Sequence, residues 1–133
     1  MLKPRLIRRR VAGIVMLIAM LAGFAAAQNI RARDRALYEA AGQGELSAID
    51  NLLSAGANVN SVVLGDDTPL LAAARRGRLE TVIALLERGA DPNIPAPGDR
   101  TALIVAAGRG RFDIVRTLLD RADLNNDGQT WRL

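Results

Sequence analysis

The sequence predicts an all-α array of stacked helix-turn-helix units joined by extended loops. Three observations carry that expectation. Half of the 133 residues are apolar while only 3% are aromatic, so any core is aliphatic and suits closely packed helices. A set of apolar and small residues recurs at a fixed spacing of 33. Cysteine and histidine are both absent, which excludes disulfides, thiol nucleophiles, histidine-dependent triads and zinc-finger sites. No cofactor and no metal site is expected.

The first element is an address. Lys3, Arg5, Arg8, Arg9 and Arg10 precede an unbroken apolar run from Val11 to Ala27, which ends in Ala25 and Ala27 before the polar Gln28 and Asn29. This order resembles a bacterial secretory signal peptide with cleavage after Ala27. An uncleaved anchor is the competing reading, since 17 residues at about 1.5 Å each reach roughly 25 Å, short of a bilayer core of about 30 Å. Either way the positive flank stays cytoplasmic and the rest is translocated. The expected location is the periplasm or the exterior, or the outer face of the inner membrane if residues 11–27 remain. Residues 28–33 are expected to be a linker.

Net charge follows the same division. The formal charge is +4, yet from residue 28 onward 13 arginines face 14 acids. The basic balance belongs to the leader, and a nucleic-acid partner loses its main support.

Residues 34–133 hold the repeats, at about 34–66, 67–99 and 100–133. Their aligned columns are Leu37, Leu70 and Leu103; Ala40, Ala73 and Ala106; Ala41, Ala74 and Ala107; Gly44, Gly77 and Gly110; Ile49, Val82 and Val115; Leu52, Leu85 and Leu118; and Leu53, Leu86 and Leu119. In the middle unit Thr68 is an N-cap and Pro69 sits at the first helical position, where its missing N–H costs nothing. Leu70, Ala73 and Ala74 line one face, and Gly77 ends the helix through a left-handed turn. Leu79, Val82, Leu85 and Leu86 follow at helical spacing, with Glu80 favourably placed in the first turn and Asp113 in the matching place of the next unit. Gly89 to Asn93 stop this helix and open the next loop.

These units resemble ankyrin repeats. Thr68, Pro69, Leu70, Ala73, Ala74, Gly77, Val82, Leu85, Leu86, Gly89, Ala90, Asp91 and Asn93 match the family pattern in the second unit, and Thr101, Leu103, Ala106, Ala107, Gly110, Val115, Leu118 and Leu119 in the third. The first unit matches in its helical half, Leu37 to Leu53, and then at Gly56, Ala57, Val59 and Asn60. Leu71 and Ile104 stand where the family pattern has histidine, so its polar bridge between repeats is expected to be absent or replaced by apolar contact. The ending, Trp131 to Leu133, is expected to cap the third helix pair.

The resemblance implies an ankyrin-repeat solenoid of about three units and a use in binding another protein through the loop fingers and the first-helix face. Its variable positions fall on Gln43 and Glu45, on Arg75, Arg76 and Arg78, and on Arg109 and Arg111. The five arginines would grip carboxylates on an acidic partner, or merely complement helix C-termini and keep an exposed face soluble. The finger tips, Val62, Val63, Leu64, Gly65 and Asp66 and then Ala96, Pro97, Gly98 and Asp99, are the other candidate contacts. Three successive apolar residues on a projecting loop need a cover, from the neighbouring finger in the preferred reading or from a partner. Asp123 to Gly128 opens like a calcium loop but lacks the closing glutamate, so a turn is expected. Paired acids such as Asp66 and Asp67 cannot face each other across a cleft, and no catalysis is expected.

The chain thus reads as an exported, non-catalytic interaction module. A stabiliser or immunity factor for one periplasmic enzyme, and a membrane-anchored scaffold, are the alternatives. Reversing the charge of Arg76 and Arg109 together is expected to weaken partner binding while leaving thermal unfolding nearly unchanged. A binding titration beside a melting curve checks both halves of that expectation.

Overall fold

The computed structural model describes residues 4–63, 65 and 67–125, with side chains described from residue 11 to residue 121 except at 64 and 66. Leu64, Asp66, the capping residues Trp131 to Leu133 and the stretch 126–128 lie outside the described residues. The chain divides into two units, Met1–Ala32 and Arg33–Leu133. Six helices are described: α1 Pro4–Gln43, α2 Leu46–Ser54, α3 Pro69–Arg76, α4 Leu79–Glu87, α5 Ala102–Gly108 and α6 Phe112–Asn125.

In the first unit α1 is apolar on every side from Val11 to Ala27. Val11, Ile14, Met16, Leu17, Met20, Leu21 and Phe24 are all more than half exposed, as expected of a segment whose partner is not the protein's own core. Residues 28–33, expected as a linker, are helical within α1. The reason is local: no glycine or proline separates Gly23 from Gly42, so nothing interrupts the helix.

The second unit is the repeat array. Inner helices (the end of α1, then α3 and α5) alternate with outer helices (α2, α4 and α6), and α3 packs against both α4 and α5 while α4 packs against α6. Local chemistry sets each boundary. Thr68 is extended and its hydroxyl accepts from Leu71 N, Pro69 opens α3, and Gly77 closes it in the left-handed region at φ 71°. Thr101 is extended likewise but its side chain makes no capping bond. Glu80 and Asp113 stand in the first turns of α4 and α6. The α6 helix carries on through Asn125, so Asp123 to Asn125 are helical rather than the turn expected there. No glycine or proline follows until Gly128.

Each loop between units forms a finger closed by one antiparallel pair, Val63 with Asp67 and Ala96 with Arg100. Asparagine and aspartate side chains stitch the finger bases together. Asn60 accepts from Asp91 N at 2.7 Å and donates to Gly89 O at 3.2 Å, while Asp34 accepts from Asn58 N at 2.8 Å.

The repeat columns reveal the stacking direction. Ala41 and Ala74 are fully buried at 0% exposure under the following unit, whereas Ala107 in the same column is exposed. The core runs through Leu37, Ile49, Leu70, Val82, Leu85 and Ile114, all at most 2% exposed. In the third unit burial shifts from Val115, which is half-buried, to Ile114. Phe112 and Leu119 stay exposed, at 76% and 49%. The equivalent positions of the second unit, Leu79 and Leu86, are half-buried.

Small inner-helix residues also admit arginine from the next unit. The Arg111 guanidinium lies over Gly77, where a Cβ would meet its Cζ at 2.6 Å, and Arg78 lies over Gly44 with its Cδ 3.1 Å from a Cβ there. Both glycines have positive φ. Gly77→Ala is therefore expected to destabilise the array by about 1–2 kcal/mol through left-handed strain and to displace Arg111. Gly108→Ala, at a helical position with nothing within 4 Å of the added Cβ, should be neutral or stabilise by up to about 1 kcal/mol through helix propensity. Urea unfolding of the two variants measures the contrast.

Candidate functional site: an arginine pocket beside the second finger

The face made by α3, α5 and the second finger carries a pocket of about 300 Å³. Its cationic wall is Arg75 from the end of α3, Arg100 from the base of the finger and Arg109 after α5, and its apolar part includes Ile104 and Val105. Ile104 is 52% exposed, an aliphatic surface held open to solvent. Gly108 adds no side chain, which leaves room at the pocket's edge. The volume suits a side chain or two and is at the lower limit for a small-molecule site. A larger depression of about 730 Å³ lies along α2, bounded by Asp50, Leu53, Val59 and Arg88. It is open to solvent, and Asp50 and Arg88 form an ion pair with each other, so it offers no unmatched charge.

Arg75 is held in place from behind. Its Nη1 donates to Asp67 Oδ2 at 2.6 Å, and Tyr38 donates its hydroxyl proton to the same oxygen at 3.0 Å. Asp67 is buried, its side chain only 8% exposed, while Arg75, which also lines the pocket, keeps 35% exposure. Tyr38 belongs to the first repeat and Asp67 to the loop before the second, so one carboxylate joins two repeats and orients the pocket's first arginine. Its other oxygen, Oδ1, is buried without a hydrogen-bond partner, a desolvation cost that the two donors on Oδ2 must offset. Burial pushes the Tyr38 phenol above its ordinary value of 10.0, and the hydrogen bond to Asp67 and its charge push it the same way. For Arg75 burial opposes the cation, but the hydrogen bond and charge of Asp67 outweigh it and raise its pKa.

Comparison with known families agrees with this architecture. The family model described as ankyrin repeats in three copies matches residues 13–96, over half of the chain, and a single ankyrin-repeat model matches residues 98–128. The chain belongs to the ankyrin-repeat family. No curated protein matches it. Ankyrin repeats generally mediate binding to other proteins, which makes this chain a protein-interaction module.

Within the ankyrin array the five arginines expected on one ladder separate. Arg75 and Arg109 share the pocket. Arg78 instead turns back on the first repeat, its Nε donating to Gly42 O at 3.4 Å, and Arg111 covers Gly77. Arg76 lies with its guanidinium against Gly42, 3.1 Å from the Cβ position there, so reversing its charge disturbs repeat packing as well as surface charge. Of the tip residues, Val62 is 51% exposed, and Val63 is half-buried in its pair with Asp67. Asp99 is exposed and takes a positive φ of 54° at the second tip.

Sequence reasoning missed Arg100, Tyr38 and Asp67. Tyr38 occupies the column of Leu71 and Ile104, so the polar bridge expected to be lost persists between the first two repeats. Its signal was available, since Tyr38 is the sole tyrosine and stands 33 residues before Leu71.

Because the Tyr38 pKa is raised in the folded state, its contribution to stability is complete below the ordinary tyrosine value of 10.0 and is lost as pH rises through the folded value. Ultraviolet difference absorbance of this single tyrosine should give a midpoint above 10.0 in the native protein and a normal one in denaturant. Tyr38→Phe should cost about 1 kcal/mol at neutral pH and remove this component of the alkaline loss.

Proposed function

We propose that this ankyrin array is an exported, non-catalytic binding module that recognises another protein through the face containing Arg75, Arg100 and Arg109, with the finger residues Val62, Val63 and Asp99 as further contacts. One observation carries the reading. The pocket sets three arginines beside exposed Ile104 and half-buried Val105, and an aliphatic surface rimmed by arginine is the composition of a protein-binding patch. The array offers the partner a rigid surface, since Asp67 and the finger-base hydrogen bonds fix it in advance.

Export is supported by the N-terminal segment. The most apolar 18-residue window of α1 has a mean hydropathy of 2.1 and none of it is buried, and the five basic residues before Val11 set its orientation. Cleavage after Ala27 leaves the inner helix from Arg33 to Gln43 intact, because its anchoring residues Asp34, Leu37 and Tyr38 all follow the cut.

Two measurements test the two halves. Intact mass and N-terminal sequencing of the chain from fractionated cells are expected to give a soluble periplasmic species beginning at Gln28; a membrane-bound species retaining Met1 would make residues 11–27 an anchor, and a cytoplasmic one would overturn export. A photo-crosslinking residue at Pro97, beside the pocket, should capture a protein in cells, while the same residue at Asn51 on α2 should not. Equal capture at both positions, or none at Pro97, would refute this face as the binding surface.

A further inference from the structure

We infer that the pocket formed by Arg75, Arg100 and Arg109 selects a partner segment in which a carboxylate side chain stands next to a bulky aliphatic or aromatic one. The inference rests on the protein-binding reading above and names the chemistry that the face recognises.

Charge complementarity is the first argument. The pocket lining holds three arginines and no carboxylate. Asp67 neutralises only the charge of Arg75 from behind, and Arg100 donates its Nε to the uncharged Pro97 carbonyl at 3.2 Å. Arg109 forms no ion pair among the described residues. A net cationic pocket of this kind attracts an anion, and guanidinium groups present their N–H pairs to a carboxylate as a planar fork.

Size and floor are the second argument. About 300 Å³ cannot take an extended cofactor but accommodates a pair of neighbouring side chains. Ile104 and Val105 provide aliphatic surface within reach of the same arginines, so the two halves of the ligand must be adjacent. Arg75 is oriented by Asp67 and Tyr38 before any ligand arrives, which lowers the ordering cost of binding. Tyr38 and Asp67 are therefore positioning residues for this contact.

The probe is a displayed library of random heptapeptides, panned against the full chain in mild detergent. Enriched peptides are expected to carry Asp or Glu beside Leu, Ile, Met or Phe. Their affinity, read by fluorescence anisotropy, should fall about tenfold or more for Arg109→Glu and for Arg100→Glu, with circular dichroism unchanged. Arg109→Lys should lose less, because charge is kept and only the fork is lost. A peptide whose acid is exchanged for lysine should bind Arg109→Glu better than the parent chain, a rescue that a merely misfolded variant does not give. Enrichment without acidic residues, undiminished affinity in both charge-reversal variants, or tighter binding of a duplex DNA probe than of every enriched peptide would overturn the inference. If crosslinking at Pro97 succeeds while these results go against the acidic peptide, the binding face stands and its assigned chemistry falls. If crosslinking at Pro97 itself fails, the binding-face reading falls first.

Discussion

The structure depends on one constraint: a pair of short helices cannot bury its apolar face alone, so each unit must be covered by the next. Alanine at the inner-helix positions lets the backbones come close enough for that. Ala41 and Ala74 are buried completely, whereas Ala107 is exposed where the described residues provide no following unit. The same closeness explains why glycine recurs at 44 and 77. Each of these positions needs a left-handed backbone and also lies beneath an arginine of the next unit. Arg78 and Arg111 thus also pack across the joints between units.

A second set of contacts, made by Tyr38, Asp67 and Arg75, is superimposed on this stacking. Asp67 receives Tyr38 from one side and Arg75 from the other, so the interface between the first two repeats also aims the first arginine of the pocket. The matching position in the third unit is Arg100, which is exposed in the second finger and faces the pocket itself. Equivalent positions thus carry a buried, paired aspartate in one unit and an exposed arginine in the next. The array is asymmetric for this reason, with its cationic surface gathered toward the second and third units.

Most of the fold was legible because repetition is a strong signal. The columns at a spacing of 33 placed the inner and outer helices, and Thr68, Pro69 and Gly77 placed the ends of α3 with correct chemistry. Much of the site was not legible, because alignment shows what recurs and the site is built from what differs. Tyr38 and Arg100 each break their column, while Asp67 repeats Asp34 and is set apart only by its contact with Tyr38. Spacing also could not show which way a long side chain turns, and so Arg76, Arg78 and Arg111 were grouped with Arg75 and Arg109 although they pack against neighbouring repeats. The helical course of residues 28–33 was hidden by a different cause. Polar composition suggested a linker, but an uninterrupted run of helix formers continues α1 through it.

The repeats form one cooperative body whose first interface is tied by Asp67, so that Arg75 is held in place before a partner binds. Native-state hydrogen exchange of the full chain across a denaturant series tests this most directly. The amides of Leu37 to Ala41 and of Leu70 to Ala74 should open with the same free energy and the same denaturant dependence, as one unit. Exchange of residues 37–41 through a separate, lower-energy opening while residues 70–74 stay protected would contradict it.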